Sequence, residues 1–349
     1  MPEPPVERAR AADRINQRLN ELYERQLLLE EGSVARYYAP GREYYGPELA
    51  GEERDRFAIA LAAPEGDVYT AGDWDVGFAL QSISKVFVYA LALHDHGRDH
   101  VLEHVGVEPS GDAFNSIVFD ERNRRPFNPM VNAGALVTTD LVHGKDPEEK
   151  LERILGALRA YAGNPSIDVD WDVFEHELET ADRNRATAYL MRSNGMLSGD
   201  VEAILALYLQ QCSVTVTCRD LAVMAATLAN GCVNPVTADR VLPREYVRDV
   251  LSVMHTCGMY DAAGQWAFDV GVPAKSGVSG GILAAIPGKM GMAVFSPGLD
   301  HHGNSVRGVR VCEEVSGRLG LHVFATEGED AMLADRTPAR PPRVQSAPA

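Results

Sequence analysis

Ser82 and Lys85 stand three positions apart in QSISK (81–85), a spacing that sets a hydroxyl and an amine on one face of a helix. Between Asp75 and Asp95 the lysine is the sole formally charged residue, in a stretch, FALQSISKVFVYALAL (78–93), that is otherwise almost wholly apolar. An unpaired buried ammonium costs several kcal/mol, so this amine should be partnered, neutral, or directed into a polar cavity. A neutral lysine beside a serine can take the serine's proton and make a weak nucleophile usable. That is the S-x-x-K chemistry of serine acyl transfer. The competing reading is a surface serine beside a solvated lysine, since so short a pattern recurs by chance. The apolar surroundings count against it, because a solvated lysine normally has polar neighbours on its face. Ser84 adjoins Lys85, but adjacent helical residues point about 100° apart, which makes Ser82 the better candidate.

The stretch from Phe78 is long enough for about four turns at ~3.6 residues per turn, and a helix is expected there, ended by Gly97. Ahead of it, Phe57–Ala63 and Asp67–Thr70 read as two strands joined at Pro64-Glu65-Gly66. Earlier still, residues 7–31 carry a helical stripe of Ile15, Leu19, Leu22 and Leu29. The Tyr/Gly/Pro-rich GSVARYYAPGREYYGPELAG then reads as a loop over the surface or a cleft. Asn128-Pro129 opens a turn into a further helix with Asn132 near its start, where capping and ligand binding are both open to an asparagine. From roughly 147 to 230 the pattern is helical, punctuated by Gly163, Gly195 and Gly231, and Val241–His255 give one more helix. The texture then changes to short Gly-rich strands, GGILAAI and GMAVFS, joined at Pro287-Gly288, before a last helix over Ser305–Leu319.

Strands at both ends around a helical middle predict an α/β (α+β) architecture. One lobe is assembled from the termini, and a helical lobe of about 98–240 is inserted into it. The expected division is an N-terminal tail and helix (1–31), a domain over 32–327, and a terminal segment (328–349). That last segment is acidic and then Pro/Arg/Ser-rich, and it reads as disordered.

Fifty acidic against thirty-three basic residues give the 349-residue chain a net charge of −17, which excludes a nucleic-acid partner of the usual basic-surface kind. No apolar run approaches the ~18–20 residues of a membrane span. MPEPPVERARAADRINQ lacks the apolar core of an export signal, so no membrane partner and a cytoplasmic location are expected. The five cysteines form no C-x-x-C pair and are odd in number, and they read as reduced, mostly buried thiols. Among the ten histidines, His94/His96 and His301/His302 lie close together, but they are read as loop and helix-end residues, and neither a metal nor an organic cofactor is expected.

The second half supplies what an S-x-x-K enzyme needs. Lys275-Ser276-Gly277 opens a strand-like segment as the K-T-G element does in penicillin-recognising serine enzymes, and its glycine permits close approach of backbone to ligand. With QSISK, seven further segments stand in order: EPSG (108–111), NPMVNAGA (128–135), ETADRN (179–184), CSVTVTC (212–218), MAATLANG (224–231), HTCGMYDAAGQWAF (255–268) and PAKSGVSGGI (273–282). In these motifs, over roughly residues 40 to 315, the chain resembles the serine-dependent glutaminases, the L-glutamine amidohydrolases of β-lactamase/transpeptidase-like fold.

The resemblance implies an antiparallel sheet flanked by helices, and hydrolysis of L-glutamine to L-glutamate and ammonia through a glutamyl-serine intermediate. It implies Ser82 as nucleophile and Lys85 as its base. Tyr260 would relay a proton to the leaving ammonia or deprotonate the serine. The backbone N–H groups of Val278 and Ser82 would form the oxyanion hole. Glu177 would hold the substrate α-ammonium, and Asn132, Asn184 and Tyr208 would grip its carboxylate and amino end. Tyr45 would close over the substrate, with Tyr37 and Tyr44 as alternatives, because GSVARYYAP and YYGPELA divide the family's loop pattern. A homodimer or homotetramer is implied as well. On residue type alone, Glu177 in EHELE would be a helix-surface glutamate, and Tyr208 and Tyr260 half-buried core aromatics. Two rivals remain at this level, a β-lactamase or transpeptidase using the same pair, and a silent binding protein on the same fold.

Overall fold

The computed structural model describes residues 5–34, 55–112, 116–120 and 122–325. Helix α1 (Pro5–Leu27) is followed by strands β1 (Ala58–Ala62) and β2 (Val68–Gly72), and by the two-residue β3 (Phe78–Ala79). A single 3₁₀ turn, Gln81–Ile83, leads into α2 (Ser84–His96). Then come α3 (Arg98–His104), α4 (Asn132–Asp140), α5 (Pro147–Ala162), α6 (Trp171–Glu179), α7 (Asp182–Ser193) and α8 (Val201–Cys212). The two-residue β4 (Thr215–Val216) precedes α9 (Cys218–Ala229) and α10 (Arg244–Cys257). A 3₁₀ turn over Tyr260–Ala262, α11 (Ala263–Asp269), β5 (Ala274–Ser276), β6 (Gly281–Ile286), β7 (Met290–Phe295) and α12 (Val306–Leu319) complete the described chain.

Both ends of the chain meet in one antiparallel sheet of order β2-β1-β7-β6-β5, with Ala60 opposite Ala293 and Leu283 opposite Ala293 in turn. Side chains alternate between its faces with the two-residue period of a strand. Ile59, Ile282, Ile286, Met292 and Val294 join Leu19 and Leu22 of α1 and Val311 and Val315 of α12 in one core. Ala58, Ala60, Ala62, Ala285 and Ala293 face the other way, into the core shared with α9 and the helical lobe. Small residues on that face let α9 lie close. A Cβ on Gly291 would collide with the backbone at Ala222 and Ala226. Apolar nearly all round, α9 is buried on every side, as such a helix must be.

The helical lobe forms as its punctuation predicts. Asp146 caps α5 by accepting from Glu149 N, and Gly163 ends it at φ 64°. Thr217 and Asp220 close a capping box at the start of α9. The expected helix from Phe78 begins later than its apolar run. Phe78 and Ala79 pair with Val216 and Thr215, Leu80 N donates to Val214 O at 2.8 Å, and the α-helix starts only at Ser84. Gly97 ends it at φ 78°, as expected. All five cysteines are free and buried. Among the described residues no helix is long and apolar enough to cross a membrane.

Candidate active site

Ser82 lies in the 3₁₀ turn, so three features fix it. The β3–β4 pairing holds the chain before it, α2 takes over after it, and Gly277 packs against it from the sheet side. A Cβ on Gly277 would come within 3.2 Å of Leu80 O and 3.3 Å of the Ile83 side chain, so a larger residue would push β5 away from the serine's turn. The turn also carries strain. Gln81 has φ 52°, a left-handed conformation that side chains adopt reluctantly. Tyr260, facing the serine from the other lobe, has φ 56°. Two such residues on either side of one hydroxyl is the pattern expected of a site over-determined by its surroundings.

Lys85 sits in the first turn of α2 and is fully buried. Burial lowers its amine to about 8, with Cys212 pulling weakly the other way. Its Nζ donates to Asn132 Oδ1 at 2.6 Å and to Met130 O at 3.3 Å. A neutral amine has two protons and one lone pair. Those two acceptors take both protons and leave the lone pair for a further donor. Ser84 Oγ instead meets Cys212 Sγ at 4.0 Å.

Asn132 is the first residue of α4, yet its side chain is not a cap. The N-cap is Val131, with no capping side chain. Instead Asn132 Oδ1 accepts from Lys85 and, at 3.2 Å, from Tyr208 Oη, while its Nδ2 donates to Asn184 Oδ1 at 2.9 Å. The structure thus joins Lys85, Asn132, Asn184 and Tyr208 in one network drawn from α2, α4, α7 and α8.

Glu177 sits on α6, a surface helix by its pattern, but is itself only 5% exposed. Burial alone pushes its carboxyl up to about 8. It accepts from Gln81 Nε2 at 2.9 Å, and among the described residues no cation pairs with it. A buried carboxylate without a counter-ion is unfavourable on its own account, and this one is tied to the residue beside Ser82.

Tyr260 is hydrogen-bonded to Ser82, and its Oη donates to Ser276 O at 2.9 Å. Burial holds its phenol well above the ordinary value, so it stays protonated and can donate. Lys275 Nζ lies 4.2 Å from the centre of the Tyr260 ring and donates to the same Ser276 carbonyl at 2.6 Å. Its amine is held well below the ordinary lysine value, first by burial and then by Lys85. After β5 the chain turns tightly, Gly277 N donating to Gly281 O and Gly280 N to Gly277 O. These bonds leave out the N–H of Val278, which is buried at the turn's second position. A cavity of about 330 Å³ reaches the site at Tyr260, Met130 and Asn128.

Ser82, Lys85, Asn132, Glu177, Asn184, Tyr208, Tyr260 and Val278 thus fall in one region between the lobes. Tyr45, with its alternatives Tyr37 and Tyr44, lies outside the described residues. Sequence reasoning assigned no role to Gln81, whose one signal was its place next to Ser82. It also assigned none to Lys275, whose signal was the K-S-G element.

The chain resembles known proteins in sequence and in fold. A family model described as Glutaminase matches residues 42–324. The glutaminase of Trichormus variabilis is 55% identical over 306 residues, covering 88% of this chain and 89% of that protein. That of Microcystis aeruginosa is 50% identical over 306 residues, 88% of each. Among solved structures, Mglu in its glutamate form matches with TM-score 0.83 and 45% identity over 90% of this chain and 70% of Mglu. A Bacillus glutaminase matches with TM-score 0.78 and 35% identity over 88% and 99%.

Proposed function

The chain belongs to the glutaminase family and has its β-lactamase-like fold, and on that premise we propose that Ser82 and Lys85 hydrolyse L-glutamine to L-glutamate and ammonia through a glutamyl-serine ester. The observation that carries the reading is the buried Glu177, bonded to Gln81 and without a cation partner among the described residues. A free amino acid brings an ammonium, and a buried carboxylate with no counter-ion among the described residues suits it. When the α-ammonium enters, it supplies the missing counter-ion and draws the carboxyl into its ionised form.

In the first half-reaction the Lys85 lone pair takes the Ser82 proton while Oγ attacks the side-chain carboxamide carbon. The oxyanion that forms is held by the N–H groups of Val278 and Ser82, a contribution typically worth about 3–4 kcal/mol for one donor. Collapse of the intermediate expels ammonia, which takes its proton through Tyr260, already bonded to Ser82 and reprotonated from Lys85. In the second half-reaction water gives a proton to the same relay and attacks the ester, releasing glutamate and regenerating the serine. Asn132, Asn184 and Tyr208 position the substrate's amino-acid end, and Tyr45 closes over it.

The test is the serine. Ser82→Ala should lose at least about a thousandfold in ammonia release from glutamine, and acid-quenched wild-type enzyme should carry a glutamyl ester on the peptide containing Ser82. Undiminished turnover in Ser82→Ala, or an ester on another residue, would overturn the assignment.

A further inference from the structure

Five of the ten histidines, His94, His96, His100, His104 and His143, gather where α2 passes into α3. On α3 the sequence His100-Val101-Leu102-Glu103-His104 sets two imidazoles four residues apart, hence on one helical face, with a carboxylate beside the second. One ligand atom from each of His100, Glu103 and His104 lies within 4.8 Å of the others. His104 Nδ1 is 2.8 Å from His100 O. A ring nitrogen bonded to a carbonyl carries the proton there, which leaves the lone pair on Nε2. This backbone-fixed tautomer is the outer support that metal-binding histidines ordinarily have. The His96 ring stacks on His100 at 4.8 Å between centroids, and His143 meets His96 edge-on at 4.3 Å.

We propose that His100, Glu103 and His104 form a binding site for a divalent ion of the zinc class. Two imidazoles and one carboxylate suit zinc, cobalt, nickel or copper, and suit magnesium or calcium poorly. Three protein ligands leave a position for water. Ligands around one tetrahedral zinc lie ~3.4 Å apart, so the side chains must draw in by about an ångström. His100 and His104 are half-buried and Glu103 is exposed, so all three have room to turn.

The site is separate from the acyl chemistry. His96 ends the helix whose first turn holds Lys85, which puts the cluster about 16 Å along the axis from it. Its consequence is local, an ion clamping the turn of α3 that carries all three ligands, just after the Gly97 bend.

Tag-free protein titrated with zinc chloride should bind one ion per chain by calorimetry and melt several degrees higher, by mass action on the folded state. Magnesium chloride should do neither. His100→Ala with His104→Ala should weaken zinc binding by about tenfold or more, whereas His301→Ala with His302→Ala should leave it intact. Equal zinc affinity in the His100/His104 double variant, or no binding by the wild type, overturns the proposal. If the double variant does not fold, cobalt(II) added to the wild type decides. Intense visible absorption bands of low-coordinate cobalt support the site, and the weak spectrum of the hydrated ion overturns it.

Discussion

Gln81 Nε2 donates to Glu177 Oε1 at 2.9 Å, joining the strained residue beside the nucleophile to a buried carboxylate ninety-six positions away. On the proposed reading, the bond couples substrate recognition to the geometry of Ser82. An ammonium arriving at Glu177 acts on the same carboxylate that anchors the left-handed turn.

Glu177 and Lys85 give the reaction an unusual pH dependence. Burial raises the Glu177 carboxyl to about 8 and lowers the Lys85 amine to about 8. The free enzyme is competent when both have lost a proton, the carboxylate to meet the ammonium and the amine to act as base. Below that pH both are protonated and both forms are unproductive. The acid limb of kcat/KM, which reports the free enzyme, should therefore rise towards a slope of two in log units. In Glu177→Gln the limb should fall to a slope of one, and KM should rise about tenfold to a hundredfold from loss of a charged hydrogen bond. A slope unaltered by the substitution would remove Glu177 from recognition.

Much of the site could be read before the structure, because its parts are side chains whose chemistry is odd for their surroundings. A lone lysine in an apolar helix invites explanation, and so does K-S-G at a strand. The strands at 58–62 and 281–295 were visible through their turns, Pro64-Glu65-Gly66 and Pro287-Gly288. β3 and β4 were not, since two residues show no period and their pairing spans more than a hundred positions. The same pairing made the helix begin six residues later than its apolar run. Asn132 was open between cap and ligand because both uses favour the start of a helix, and only its bond to Lys85, from forty-seven residues earlier, shows that it is no cap. Glu177 looked like a surface residue because its neighbours on α6 are one. The His100–His104 cluster was not legible from close pairs such as His94/His96, because a helix brings together residues four apart.

Lys85 should cost stability as the condition of its activity. Its amine stands at about 8 in the folded chain against an ordinary 10.5. Below about 8 it is protonated in both states and the folded state bears the whole penalty of a buried cation. From about 8 to 10.5 the penalty fades, because there the unfolded chain binds the proton that the folded chain has released. At ~1.36 kcal/mol per pKa unit the penalty is about 3 kcal/mol. Lys85→Met also removes two hydrogen bonds, though Tyr208 still donates to Asn132 Oδ1. A net gain of about 1–2 kcal/mol at pH 7, shrinking or reversing near pH 10, should appear in urea unfolding of a variant without turnover. A variant less stable than wild type at pH 7 would show that the amine is better accommodated than its burial indicates.

Two glycines separate close packing from mere helix propensity. Gly291 lies on β7 under α9, where an added Cβ would strike backbone atoms of Ala222 and Ala226, and neither element can yield without parting the sheet from its helix. Gly156 lies on the exposed side of α5 with nothing within 4 Å of an added Cβ. Gly291→Ala should therefore destabilise by about 3 kcal/mol or more. It should also lower kcat, because β7 pairs with β6 and β6 with β5, which carries Lys275 and the turn to Val278. Gly156→Ala should stabilise by about 0.5–1 kcal/mol, through helix propensity and a less flexible unfolded chain, and leave kcat unchanged. Thermal unfolding and glutamine turnover measured on both variants check the contrast. Equal tolerance of alanine at the two positions would mean that α9 is not held against the sheet as closely as its small residues require.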